Sequence, residues 1–157
     1  MMKKILLVED NTYKRERIIE FISGLPHKFL LAEAHSFASG SQSLLEDFPL
    51  VVLDVSLPTY DKDTQSSGGR FRPFGGRELA RKIIRRNLSS KILFITQYEA
   101  FSDKDTSLSV DELTEELKHE CGSRFLGLIR YDNTKSNWKE ELASTLCEFE
   151  DENSDNR

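Results

Sequence analysis

The chain has 157 residues, enough for one domain with a core of its own. Its 22 Lys and Arg stand against 27 Asp and Glu, and the net charge of -5 argues against nucleic-acid binding by the chain as a whole. No apolar run approaches membrane-spanning length, and the four apolar residues after Lys4 are too few for a signal-peptide core.

Strand and helix patterns alternate along the chain. A strand is predicted over 4–8, then a helix over 12–23, with Asn11 as its cap and Ile18, Ile19 and Ile22 on one face. Gly24 and Pro26 end that helix. A second strand is predicted over 28–34, a short helix over 37–46 and a third strand over 50–54. Leu79, Ala80, Ile83 and Ile84 make the apolar stripe of a helix over 76–87. A strand over 91–96 follows, then a helix over 110–120 that Ser109 and Glu112 open as a capping box. A strand over 125–130 and a helix over 137–149, carrying Trp138, Leu142, Leu146 and Phe149, complete the pattern. Such alternation predicts an α/β fold with a parallel sheet and right-handed crossovers. Two polar segments, 57–75 and 97–109, exceed ordinary loop length, and the acidic tail 148–157 reads as disordered.

The chemistry concentrates where two apolar runs stop at carboxylates. Ile5-Leu6-Leu7-Val8 ends at Glu9-Asp10, and Val51-Val52-Leu53 ends at Asp54. Runs of this kind are strands buried on both faces, and their C-terminal edge is where open α/β sheets bind ligands. Three carboxylates gathered there raise one another's pKa or demand a cation. Hard oxygen donors suit Mg2+, and Asp54 is then the candidate nucleophile for a phosphoryl group.

These segments resemble the receiver domain of two-component response regulators over roughly residues 3–149. Val8-Glu9-Asp10-Asn11 is similar to the family's acidic pair, and Asp54-Val55-Ser56-Leu57-Pro58 to its phosphoacceptor signature, with Leu in place of Met. Ile95-Thr96 matches the hydroxyl residue that ends the fourth strand. The resemblance implies a flavodoxin-like, doubly wound, five-stranded parallel sheet of order 2-1-3-4-5 with helices on both faces. It implies Mg2+ held directly by Asp10 and Asp54, through water by Glu9, and by the main-chain carbonyl of Ser56. It implies that Thr96 donates to one phosphoryl oxygen.

Three positions depart from the pattern. Arg130 stands where the family has a lysine, and would pair with the phosphoryl group. Gln97 follows Thr96, where the family has a small residue. Gly127 replaces the aromatic residue that moves with the threonine. The domain organisation expected is a receiver over 1–149, with insertions near 57–75 and 97–120, and an acidic tail over 150–157. The segment 57–75 reads as a mobile surface insertion. The basic residues between Arg70 and Lys91 read as the solvated face of a helix. His27, His35 and His119 lack ligand spacing.

The function expected is that of a stand-alone receiver in two-component signal transduction. Asp54 would take a phosphoryl group from a sensor histidine kinase or phosphotransfer protein and lose it by slow self-hydrolysis, making the chain a self-catalysed phosphoacceptor rather than a turnover enzyme. Output would be binding to a downstream protein, with no membrane or nucleic-acid partner. Cys121 and Cys147 lack CxxC or zinc-ligand spacing, so a reduced, cytoplasmic setting is expected. The alternative is a phosphorylation-independent pseudo-receiver that serves as a binding module. An aspartyl-nucleophile hydrolase would want a second acid two residues after Asp54, where the chain has Ser56.

Overall fold

The structure is a computed structural model, and it describes residues 2–155. In chain order its elements are β1 (Lys3–Val8), α1 (Thr12–Ser23), β2 (Phe29–Ala34), α2 (Phe37–Ser43), β3 (Leu50–Asp54), β4 (Leu57–Pro58), β5 (Phe71–Arg72), α3 (Gly75–Arg85), β6 (Lys91–Thr96), β7 (Ala100–Asp103), β8 (Thr106–Ser109), α4 (Val110–Cys121), β9 (Phe125–Arg130) and α5 (Asn137–Asp155). The main sheet has the order β2-β1-β3-β6-β9, and every neighbouring pair in it is parallel. This is the 2-1-3-4-5 arrangement once the two short hairpins β4–β5 and β7–β8 are set aside.

Alternation along the strands divides the core between the two faces of the sheet. Leu6, Val8, Val51, Leu53, Ile92 and Phe94 point to one face, where Leu79, Ile83, Leu113 and Leu117 of α3 and α4 cover them. Ile5, Leu7, Leu50, Val52, Leu93 and Ile95 point to the other, under Ile18 and Ile22 of α1 and Trp138, Leu142, Leu146 and Phe149 of α5. Strands covered on both faces must be apolar at every position, which is why β1, β3 and β6 read as unbroken runs. Each such side chain taken from water contributes about 1.5–3 kcal/mol. No helix among the described residues is long and apolar enough to cross a membrane.

The caps expected from sequence are present. Asn11 accepts a hydrogen bond from the Lys14 amide, and Ser109 and Glu112 form a reciprocal capping box. Three segments differ from expectation. The acidic tail continues α5 as helix to Asp155, with Asn156 and Arg157 outside the described residues. The segment 97–109 forms the antiparallel β7–β8 hairpin, turning at Lys104 with φ 52°. The segment 57–75 is an ordered hairpin rather than an open loop. The Thr59 amide donates to the Arg70 carbonyl at 3.1 Å and the Tyr60 amide to the Gly68 carbonyl at 2.8 Å, so its backbone supplies its own partners.

Candidate phosphoacceptor site

Parallel pairing of Val8 with Leu53 brings the ends of β1 and β3 side by side. The chain leaves β1 at Glu9 and Asp10 and leaves β3 after Asp54, so three carboxylates meet. One oxygen from each lies within 4.8 Å of the others. Glu9 is fully buried, Asp54 is 1 % exposed, and Asp10 sits at the rim. Arg15 of α1 donates to the carbonyls of Glu9 and Asp10, at 3.1 and 3.4 Å, which fixes the turn between β1 and α1.

On the opposite side of Asp54, the first turn of α3 comes as close as a backbone can. The Gly76 amide donates to the Val55 carbonyl at 2.8 Å, and a Cβ on Gly76 would stand 2.0 Å from the Asp54 carbonyl oxygen. Only glycine fits there. Gly75 and Gly76 are therefore the first two residues of α3, packed against the backbone after β3. The hydroxyl of Ser56 donates to the Pro73 carbonyl at 2.8 Å.

The charge facing Asp54 comes from α1. Lys14 is 2 % exposed, and its Nζ lies 2.6 Å from Glu9 Oε1 and 3.5 Å from Asp54 Oδ1. It donates to Gln97 Oε1 at 2.8 Å and to the Ile95 carbonyl at 3.3 Å, and it stands 5.7 Å from the centre of the Tyr131 ring. Burial disfavours the ammonium, but Asp54 and Glu9 outweigh it and hold Lys14 above the ordinary lysine pKa. Burial pushes the Asp54 carboxyl well above the ordinary aspartate value; Lys14 opposes this, while Glu9 and Asp10 add to it. Neither side-chain oxygen of Asp54 has a hydrogen-bond partner among the described residues.

A second lysine closes the rim. Lys62, carried by the hairpin inserted after β4, places Nζ 3.1 Å from Asp10 Oδ2. In the same segment Asp61 accepts a hydrogen bond from the Ser39 hydroxyl at 2.7 Å. Two ammonium groups thus face three carboxyl groups. Hard oxygens without a hydrogen bond on a buried aspartate, beside two further carboxylates, fit a divalent cation such as Mg2+.

The β6–β9 side differs from expectation at the cation. Thr96 is fully buried at the end of β6, and its Oγ1 accepts the Tyr98 amide at 3.2 Å, which leaves its hydroxyl hydrogen to donate. Arg130 pairs with Thr96 in register, yet its guanidinium lies 3.4 Å from the exposed Glu99 carboxylate. It makes no ion pair with Asp54; Lys14 makes that contact. The reason is local: Arg130 is partly exposed at the sheet edge with an acid of its own, whereas the buried stem of Lys14 leads straight to the carboxylates. Gly127 has φ 140° where β9 slips register against β6 between Ile92 and Leu93. The backbone there requires glycine, and so no aromatic side chain stands behind Thr96.

A cleft of about 350 Å³ opens beside the site, lined by Asn11, Tyr13, Lys14, Gln97, Arg130 and Tyr131 among others. Asp54 does not line it. Lys14 lines the cleft and is ion-paired to the Asp54 carboxylate.

Lys14 and Lys62 both escaped the reading of the sequence. Lys14 had a signal: it stands four and eight residues before Ile18 and Ile22, on the buried stripe of α1. A lysine on that stripe, so near two acids, needs a partner in the interior. Lys62 sits in a polar insertion and had no such signal.

No family model matches the chain. The uncharacterized protein y4jR of Sinorhizobium fredii is 27% identical over 139 residues, covering 87% of this chain and 91% of that protein. The Detocs response regulatory protein DtcB of Enterobacter cloacae is 24% identical over 149 residues, covering 93% of this chain and 99% of that protein. Among solved structures, a CheY-like response regulator receiver domain protein from Methanospirillum hungatei superposes with a TM-score of 0.62 at 19% identity, over 97% of this chain and 99% of that one. The Mn2+-bound form of response regulator Rcp1 superposes with a TM-score of 0.61 at 16% identity, over 90% of each. The chain carries the receiver-domain fold of response regulators over essentially its whole length.

Proposed function

We propose that Asp54 is a phosphoacceptor, loaded with the help of a divalent cation, Mg2+ by the chemistry of its donors, from the phosphohistidine of a sensor kinase or phosphotransfer protein. The observation that carries this reading is the buried Asp54 carboxylate, with no hydrogen bond to either oxygen and only the Lys14 ammonium paired to it, gathered with Glu9 and Asp10 at the C-terminal edge of a receiver sheet. In the reaction an Asp54 oxygen forms a bond to phosphorus while the bond from phosphorus to the donor breaks. The leaving group departs with that electron pair, and an imidazole leaving group takes a proton from solvent. Asp10 and Asp54 would hold the cation, with Glu9 beside them and the Ser56 carbonyl as a further oxygen. Bound there, it would supply positive charge against the phosphoryl oxygens, which the carboxylates would otherwise repel. Thr96, buried at the end of β6, would donate its hydroxyl to a phosphoryl oxygen. Attack of water on phosphorus then releases phosphate and restores the carboxylate. Output is binding to a downstream protein.

The test is incubation of the protein with Mg2+ and acetyl phosphate, followed by intact mass. One added phosphoryl mass is expected on the wild type, and none on Asp54→Asn, which keeps the shape and lacks the nucleophile. Equal loading of the two proteins would place the chemistry elsewhere. No loading of either would identify a binding module that does not use phosphorylation.

A further inference from the structure

A cation for an aspartyl phosphate is present in this site, but it comes from α1 and not from the end of β9, where the chain's resemblance implies it. Arg130 is held on Glu99, 37 % exposed at its side chain. Lys14 is buried, ion-paired to Asp54, and lines the adjoining cleft. Its closest contact is the ion pair with Glu9 at 2.6 Å, which the ammonium can keep while it turns, and its other contacts are ones a lysine can exchange. The Gln97 amide oxygen and the Ile95 carbonyl are neutral acceptors, and the four-carbon stem lets Nζ swing while α1 stays fixed.

We propose that Lys14 is the catalytic cation of the site: its ammonium pairs with the phosphoryl group as that group transfers to Asp54, and it keeps that contact in the aspartyl phosphate. The proposal rests on Asp54 as the acceptor. Lys14 stays protonated throughout and moves no proton. Bond formation at the Asp54 oxygen and departure of the leaving group with its electron pair are as described above. What changes is the partner of the ammonium. Before loading it faces the Asp54 carboxylate at 3.5 Å. After loading, that oxygen carries the phosphoryl group, and a shift of Nζ towards the cleft meets a phosphoryl oxygen. A buried ammonium already aimed at the place where charge develops needs little reorganisation, which is the condition for large electrostatic stabilisation.

The same geometry gives Lys14 a second, opposite effect. Lys14 occupies the side of Glu9 and Asp54 that a divalent cation also uses. Removing the ammonium should therefore tighten metal binding while slowing transfer. A merely structural lysine would not split the two readouts this way, because a misfolded site loses both.

The experiment compares wild type, Lys14→Met, Lys14→Gln, Arg130→Ala and Asp54→Asn. Mg2+ affinity is read by titration calorimetry without phosphodonor, and the loading rate with acetyl phosphate by intact mass. Both Lys14 variants should load at least about tenfold more slowly than wild type and bind Mg2+ more tightly. Arg130→Ala should match wild type in both. If Lys14→Met proves unfolded by circular dichroism, the comparison rests on Lys14→Gln, whose amide is a neutral hydrogen-bond donor. Loading of a folded Lys14 variant at the wild-type rate overturns the proposal. So does a loss that falls on Arg130→Ala instead. Failure of the wild type to load is a different result, and removes the phosphoacceptor reading itself.

Discussion

The two halves of the sheet's C-terminal edge are built by different rules. At the β1–β3 half, Glu9, Asp10 and Asp54 follow directly on their strands, and parallel pairing alone brings them together. At the β6–β9 half, Thr96 is in place, but Arg130 turns to Glu99, Gly127 serves a register shift, and Gln97 reaches across to Lys14. Anionic groups are set by strand ends; the cation is supplied by a helix and by an inserted hairpin. A site can thus keep its geometry of negative charge while its positive charge changes address, because charges act through distance and burial and not through chain position.

The largest expected effect breaks the first half. Gly76→Ala puts a Cβ 2.0 Å from the Asp54 carbonyl oxygen, so the turn after β3 or the start of α3 must move. A loss of about 3 kcal/mol or more is expected by urea denaturation, at the upper end of overpacking costs. A change of a few tenths would mean that the close approach is not there. Next comes Asp10→Asn, which removes one anionic ligand at the rim. Mg2+ affinity should fall at least about tenfold, the lower bound for weaker perturbations of metal sites. Equal affinity of the two proteins would defeat the metal assignment.

Lys62→Ala sharpens the contrast between the two lysines. Its pair with Asp10 is half exposed, and such pairs contribute about 0–1 kcal/mol. Stability should change within that range, and Mg2+ should bind up to about fivefold more tightly as Asp10 is freed. Weaker metal binding in Lys62→Ala would show that the hairpin assists the site rather than competing for Asp10. The smallest effect lies behind the β6–β9 half, where Arg77 and Arg81 of α3 pair with Glu120 of α4. Burial raises the Glu120 pKa, but the two guanidinium groups outweigh it and hold the carboxyl below the ordinary glutamate value. A depressed acid adds stability above its unfolded pKa and loses it as pH falls through the folded value. Glu120→Gln should therefore cost up to about 1 kcal/mol at pH 7 and much less near pH 3. An equal cost at both pH values would contradict the ion-pair account.

The order and type of the main elements were legible because fully buried strands leave unbroken apolar runs and the helices keep an apolar stripe. Asp54 and the Glu9-Asp10 pair were legible for the same reason: they mark where those runs stop. The two hairpins were not. A two-residue turn through Lys104-Asp105 lacks the Asn-Gly or Asp-Gly signal, and the β4–β5 pair is only two residues long on each side. The tail was misjudged as disordered because its acids hid the continuation of α5 to Asp155. The address of the cation was hidden most deeply. Arg130 stands at the expected strand end, and nothing in its neighbours along the chain says that Glu99 will hold it. Lys14 could have been found by asking which partner a lysine on the Ile18–Ile22 stripe must have.

The central claim is that Asp54 takes the phosphoryl group under the charge of Lys14. A crystal structure of the protein with Mg2+ and beryllofluoride, an analogue of the phosphoryl group on an aspartate, tests it most directly. The account predicts beryllofluoride on an Asp54 carboxylate oxygen, the Lys14 ammonium within hydrogen-bond distance of a fluorine, and Arg130 still on Glu99. Beryllofluoride contacted by Arg130, with Lys14 left on Glu9, would contradict it, as would an Asp54 that binds no beryllofluoride at all.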